Sequence, residues 1–314
     1  MKKNVLLAVI CGGLLFGVIC ELQVALAANN QKIEAGQQAL FEKIEKLTAA
    51  KGQFTEKESV FKVGFSRNDL VVYSSGVKIT PPMGLGVWAA FKIMPDHTMV
   101  MGDLVLLQEQ VNPVMSVAME NGLEVTALHN HFMWELPRIM FMHISGDGKT
   151  EELASAVGKV FAKIRETSGK KGQAVPAEID PNNSTLEPKK IEDILGVKGQ
   201  AIDGVYKITI GRTTTMNGHE MGNAMGINTW AAFAGSNEKA VVDGDIAMLE
   251  SEVQPVLKAL RAAGINVVAI HNHMIGESPR IIFLHYWAIG PVADIAKGLK
   301  TALDTQGYQK TTKQ

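Results

Sequence analysis

The 314-residue sequence is 46% hydrophobic and 20% charged, with 31 Lys and Arg set against 32 Asp and Glu. This near-neutral balance, without a clustered basic run, excludes an electrostatic grip on nucleic acid or anionic lipid, both of which need a concentrated positive surface. The only cysteines, Cys11 and Cys20, lie near the start, so the rest of the chain has no disulfide framework, thiolate nucleophile or thiolate metal ligand.

In chain order, Met1-Lys2-Lys3-Asn4 precedes an apolar run from Val5 to Cys20, and Ala25-Leu26-Ala27 closes the segment. A charged start, a short apolar centre and a small-x-small end predict a secretory signal peptide over 1–27, cleaved after Ala27, and a periplasmic or secreted protein with no remaining membrane span. Ile19 precedes Cys20, where lipid attachment requires a small residue, so no lipid anchor is expected.

Residues 88–143 match residues 230–285 without a gap, at a constant offset of 142. Trp88-Ala89-Ala90-Phe91 recurs as Trp230-Ala231-Ala232-Phe233, Gly102-Asp103 as Gly244-Asp245, and Pro113-Val114 as Pro255-Val256. His129-Asn130-His131 recurs as His271-Asn272-His273, and Glu135, Pro137-Arg138 and His143 recur as Glu277, Pro279-Arg280 and His285. Such self-similarity marks a duplicated unit. The expected organisation is a first repeat over 28–167, a linker over 168–189 rich in Gly, Pro, Asn, Ser and Lys, and a second repeat over 190–314.

Periodicity predicts a helix closing the first repeat at Glu151–Arg165, and then the second repeat in order. A short amphipathic helix at Lys190–Leu195 leads to strands at Val205–Arg212, Asn228–Phe233 and Ala240–Leu249. A helix follows, with Pro255 in its first turn and Gly264 just past its end. Strands at Ile265–His273 and Arg280–Ile289 and a last helix at Val292–Leu303 complete the series. The fold class is α+β: two tandem homologous two-layer domains, each a mainly antiparallel sheet with helices packed on one face, related by a pseudo-twofold axis.

The polar residues retained by both copies concentrate in one segment. Leu, Val and Ile interchange freely between copies, while three histidines, a glutamate and an arginine do not. Side chains two apart on a strand share a face, so His129 and His131, like His271 and His273, are expected to project together as metal ligands. Imidazole suits Zn, Cu, Fe or Ni. The third ligand is Glu135 or Glu277 in the hairpin loop, or His143 or His285 on the next strand. Two registers stay open. If His131 opposes Arg138, the arginine shares the histidine face and the set looks like an anion pocket; a slip of one residue lets three histidines converge.

Three functions stay open with them. One is an exported protein binding a transition metal or a small ligand through His129, His131, His143, His271, His273 and His285. The second is a metal-dependent, hydrolase-like enzyme with Glu135 or Glu277 as general base and Arg138 or Arg280 steadying an anionic substrate. The third is a structural or interaction module with hydrogen-bonded histidines and no metal. Gly102-Asp103 and Gly244-Asp245 read as a bulge or turn in preference to a buried acid facing the site. Trp88 and Trp230 read as core. His97 and His219 lack a mate in the other copy, although His219-Glu220 remains a candidate pocket lining in the second half. Gly218-His219-Glu220-Met221-Gly222 has no second histidine four residues on, so it is no helical zinc-protease motif. No phosphate loop, nucleophile elbow or dinucleotide fingerprint occurs.

Where the second copy reads Val253-Gln254-Pro255-Val256, Ala269-Ile270-His271-Asn272-His273-Met274, Pro279-Arg280 and Trp287, the chain resembles the LppY/LpqO family. These are exported proteins and lipoproteins first noted in mycobacteria and assigned to a domain of unknown function. The resemblance covers both copies and implies export and duplication; it implies no activity or substrate. The chain departs from the lipoprotein members at Ile19-Cys20, where the lipid-attachment signal is missing.

Overall fold

A computed structural model of the chain describes residues 35–168 and 177–307. The predicted signal peptide, the first part of the linker and the last seven residues lie outside these ranges. The first repeat begins with helix α1 (35–48) and then runs through strands β1 (Lys51–Thr55), β2 (Val60–Ser66), β3 (Val72–Ser74), β4 (Val77–Ile79), β5 (Gly86–Ile93) and β6 (Thr98–Leu107). Helix α2 (Val111–Glu120), strands β7 (Glu124–His129), β8 (Glu135–Leu136) and β9 (Ile139–Gly148), and helix α3 (Thr150–Thr167) follow. The second repeat contains α4 (Pro188–Leu195), β10 (Gln200–Ile202), β11 (Val205–Gly211), β12 (Thr214–Met216), β13 (His219–Met221), β14 (Asn228–Gly235) and β15 (Ala240–Leu249). It closes with α5 (Val253–Ala262), β16 (Asn266–His271), β17 (Ile281–Gly290) and α6 (Val292–Asp304).

Twelve strands form one sheet in the order β1-β2-β5-β6-β9-β7-β16-β17-β15-β14-β11-β10. Each strand of the second half occupies the place of its counterpart in the first, read from the opposite edge. Every registered pair is antiparallel, including the one that joins the repeats, where Leu128 of β7 faces Ile270 of β16. The duplication therefore does not make two separate sheets, because β7 and β16, which would each be an exposed edge in a lone repeat, cover one another.

One face of the sheet is buried under helices. A single hydrophobic cluster takes in Phe41 and Ile44 of α1, Val114 and Met115 of α2, Val157 and Phe161 of α3, Ile191 of α4, Leu257 and Leu260 of α5 and Leu299 of α6, together with Val63, Phe91, Leu104, Ile246 and Leu284 of the strands. The opposite face is covered only locally, by a cluster around Val105, Ile139 and Phe141 under β3, β4 and β8, and by a smaller one around Ala247, Ile281 and Phe283. Between these two patches the sheet is open.

The junction of the repeats is closed by side chains where strand pairing is missing. The Asn112 amide on α2 donates to the Val267 carbonyl at 3.2 Å and accepts the Val267 N–H at 2.8 Å. Its counterpart Gln254 on α5 does the same to Val125, donating at 2.8 Å and accepting at 3.1 Å. Both gripped residues immediately precede a β-bulge, between Val125 and Ala127 in β7 and between Val267 and Ala269 in β16. A bulge changes the phase of alternation. Val125 and Val267 thus point into the core while Ala127, His129, Ala269 and His271 all occupy the open face, opposite the buried Leu128 and Ile270.

Part of the predicted linker is docked. Thr185 and Leu186 donate their amides to the Gly235 carbonyl at the end of β14. Gly204 fits beneath this segment because it has no side chain; a Cβ there would lie 2.1 Å from the Pro181 carbonyl oxygen. No helix among the described residues is long and apolar enough to cross a membrane.

Candidate metal centre

Register decides which histidines meet. In the second repeat His271 pairs with Phe283 and His285 with Ala269, while Asp245 of β15 sits directly across from His285. Those pairings put His271, His285 and Asp245 on the open face together, in the register that lets histidines converge. Among the described residues, this trio is the one group of three His, Cys, Asp or Glu whose ligand atoms all lie within 4.8 Å of one another.

Asp245 is 2% exposed, and its Oδ1 accepts the Leu284 N–H at 3.1 Å. This bond aims Oδ2 at the imidazoles, 3.4 Å from His273 Nε2 and 3.8 Å from His285 Nδ1. His273 lies beyond the end of β16 and folds back, stacking on Phe283 with Nε2 3.2 Å from His271 Nε2. The second repeat thus assembles four side chains: Asp245, His271, His273 and His285.

The Gly-Asp pair has a different explanation from the bulge or turn expected for it. Asp245 is regularly paired in mid-strand, with its carboxylate in the site. Gly244, on the helix side, makes room for Tyr286: a Cβ there would fall 2.1 Å from the tyrosine hydroxyl oxygen, which donates to the Trp230 carbonyl at 3.0 Å. Burial in the core, with Asp243 and Asp245 nearby, holds the Tyr286 phenol far above its ordinary pKa, as a neutral donor.

Burial is also the leading influence on His271 and His273. It depresses both pKa values, helped by the neighbouring His285 imidazole and opposed by the Asp245 carboxylate. These rings are held neutral, the state in which a nitrogen lone pair is free to bind a metal. His271 Nδ1 is moreover buried with no hydrogen-bond partner.

The spacing fits a cation. Two ligand atoms about 2.0–2.1 Å from a tetrahedral zinc-like ion lie roughly 3.3 Å apart. The separations of 3.2 Å between His271 and His273 and 3.4 Å between His273 and Asp245 match this edge. Imidazole with carboxylate suits Zn, Cu, Fe or Ni.

The first repeat builds only part of this set. His129 Nε2 lies 3.0 Å from His143 Nε2, and Asp103 pairs with His143 as Asp245 does with His285. Strand β7 ends at His129, and His131 turns away, its ring edge-on to Phe141 at 4.5 Å between centroids and tilted against Phe132. The expectation that His129 and His131 project side by side is therefore not met. Strand alternation does not reach His131, and two aromatic rings offer it a packing partner.

The loop residues lie apart from the histidines' contacts. Glu277 is buried and its Oε1 accepts the Ile281 N–H at 3.1 Å, while Glu135 is buried in β8 against β3. Arg280 is exposed, with Nε 3.9 Å from a Glu250 carboxylate oxygen. The exposed Arg138 accepts the Gln108 amide with its carbonyl. Trp88 and Trp230, expected in the core, are half-buried on the open face across from Asp103 and Asp245, under the ammonium groups of Lys62 and Lys207. His97 bonds Asp96 at 2.8 Å, which raises its pKa, and His219 sits exposed in the β12–β13 hairpin.

Sequence reading also missed a second conserved arrangement within the chain. Arg67 is fully buried, donating to Asp69, the Val105 carbonyl and Gln110; Arg212 reaches the Ala247 carbonyl and Glu252 in the corresponding place. The offset between these arginines is 145 rather than 142, because short shifts intervene upstream of the ungapped stretch, and that hid the correspondence.

No curated protein matches the chain in sequence. Among solved structures it is similar to a double-ringed trimeric shell protein from the RMM microcompartment, at 10% identity over 68% of this chain and 83% of that one, with a TM-score of 0.20. The trimeric bacterial microcompartment shell protein PduB gives 9% identity over 81% and 89%, with a TM-score of 0.19. Likeness this slight carries no argument. A family model does match, over 42–163 and again over 189–305, the two repeats found from internal similarity. The chain belongs to the family defined by the domain of unknown function DUF1259, which it carries in two copies.

Proposed function

We propose that this is an exported transition-metal-binding protein whose second repeat holds the ion through Asp245, His271, His273 and His285. The observation that carries the reading is the convergence of a buried, backbone-anchored carboxylate with the His271 and His285 imidazoles, ligand atoms of all three lying within 4.8 Å of one another, and with His273 Nε2 3.4 Å from the same carboxylate. A purely structural role would pair buried polar atoms with protein partners; His271 Nδ1 has none. Export rests on the residues of 1–27, and kinship with LppY/LpqO proteins on the His-Asn-His-Met segment. The scaffold, in this reading, is two two-layer units about a pseudo-twofold axis between β7 and β16, which the matching strand orders support.

Metal analysis of full-length protein, equilibrated with Zn²⁺, Cu²⁺ or Ni²⁺ and then freed of excess, tests this. At least one tightly held ion per chain is expected, lost in His271→Ala and weakened at least tenfold in Asp245→Asn. Wild-type protein that retains no ion would refute the reading.

A further inference from the structure

The small sheet of β4, β3 and β8 lies over the main sheet of the first repeat, with Val72, Ile79 and Glu135 turned inward and buried. Its outer face carries a row in which Tyr73 stands between Lys78 of β4 and Leu136 of β8. The second repeat builds the same row from other residues, with Thr215 between Glu220 of β13 and Ser278. The duplication thus supplies an internal control. One copy closes with a polar outer row, so packing does not demand the apolar row of the other.

The difference extends to the loops around the row. Val71 and Val77 are exposed where the second repeat has Thr213 and His219, and Trp134, 77% exposed, stands where it has Gly276. Leu136 is 74% exposed. The backbone is left-handed at both members of the Trp134–Gly276 pair, with φ of 58° and 91°, a conformation that glycine adopts freely and a bulky residue does not. The Ser74 hydroxyl donates to the Met133 carbonyl at 2.7 Å and pins this loop to β3. The first repeat therefore holds an indole out in water, on a backbone that suits glycine, among exposed aliphatic side chains. A contiguous patch of this kind marks an interaction site.

Charge selects the partner. Residues 70–84 and 130–138 form the patch and its rim, and their one carboxylate, Glu135, is buried beneath the row. Lys78 and Arg138 are the exposed charges there. Indole and phenol rings beside aliphatic side chains, with basic heads alongside, match a bilayer interface, where the rings sit at headgroup level and Lys and Arg reach the phosphates. A second copy fits less well. A twofold contact through this face would bring Lys78 and Arg138 of each chain toward their like, with no exposed carboxylate in these segments to answer them.

We propose that the first repeat docks on a phospholipid bilayer surface, with Tyr73, Trp134 and Leu136 inserted at headgroup level and Lys78 and Arg138 against lipid phosphates. Two cations make no electrostatic grip; burial of the apolar side chains supplies the attraction.

The test is flotation with vesicles of three parts phosphatidylcholine to one part phosphatidylglycerol. Residues 28–314 are used, because they include the whole described fold and exclude the Val5–Cys20 run, which would partition into lipid unaided. The protein should float with the vesicles, and salt at about 0.5 M, which shortens screening to a few ångström, should leave most of the binding. Bromine-labelled acyl chains should quench part of the tryptophan fluorescence, and that quenching should vanish in Trp134→Gly. Trp134→Gly with Leu136→Ser introduces the residues of the second repeat and should weaken binding roughly tenfold or more, with circular dichroism confirming the fold, while Ile275→Ser in the second repeat leaves it unchanged. Wild-type protein that stays apart from the vesicles would overturn the proposal, as would binding abolished by salt or indifferent to the paired substitution. A dimer in light scattering that Trp134→Gly dissociates would give the face to a second copy and overturn it too.

Discussion

Replacing Gln254 by Ala removes one of the two amide clamps that hold the repeats together. The Gln254 side chain makes two hydrogen bonds to Val125, one at each backbone polar group. A net contribution of about 1 kcal/mol per bond, with a further cost where a half-buried backbone group loses its partner, puts the loss at about 2–3 kcal/mol. Asn112→Ala, which releases both polar groups of Val267, is expected to cost the same. The assay is urea unfolding of the metal-free chain; with a slope of about 3 kcal/mol per molar, each variant's midpoint falls by roughly 0.7–1 M. Gln254→Glu is the sharper variant, because its carboxylate can accept the Val125 N–H but faces the Val125 carbonyl with a second acceptor, so it should be at least as destabilising as Ala. A shift below about 0.2 M in both alanine variants would refute the account, showing that the Leu128–Ile270 pairing and the shared core close the junction unaided.

Other consequences follow from single contacts. Gly244→Ala places a Cβ against the Tyr286 ring; overpacking of this kind costs about 1–3 kcal/mol, and thermal unfolding should show it. Arg67→Met strands Gln110 and the Val105 carbonyl in a buried pocket, so a loss of about 3 kcal/mol is expected from denaturant titration. His271 and His273 have depressed pKa values in the folded chain, so the unfolded chain takes up protons first. Stability of the metal-free protein is then complete above the ordinary histidine pKa of about 6.5 and falls as pH drops through the lowered native values. His271→Gln with His273→Gln should flatten that fall in unfolding midpoints measured from pH 8 to 5, and an unchanged slope would contradict it.

Much of the fold was legible because the repeat could be read twice. Strand β15 begins and ends where alternation and its flanks place it, at Ala240–Leu249, and α5 carries Pro255 in its first turn and ends just before Gly264. The three-residue strands β3, β4, β12 and β13 were not, since segments that short carry no periodicity. Of the candidate site, His271, His273 and His285 stood out because the repeat preserves them. Asp245 was placed too low for a physical reason: a glycine before an acid usually marks a turn, and here the glycine serves Tyr286 on one face while the acid serves the histidines on the other. The fate of His131 depends on a nearby Phe141 ring, and no local pattern reveals which side chain will claim an imidazole.

The β-bulges were the least visible feature and they bear directly on the site. In β16, Val267 pairs with Tyr286 and Ala269 with His285, so Val268 is the extra residue, exposed to solvent. Deleting Val268 closes the ladder on the same partners: Ala269 stays across from His285 and His271 stays across from Phe283. Inserting one alanine between Ile270 and His271 instead changes the phase after the bulge and turns the histidine toward the helices. The deletion should therefore retain metal uptake, with a stability loss of about 1 kcal/mol from altered twist, while the insertion abolishes it. Co²⁺ absorption titrations of the two full-length variants, alongside circular dichroism to confirm folding, separate these outcomes. If both variants lose the ion, register alone does not make the site, and the local twist imposed by the bulge must position His271 against Asp245.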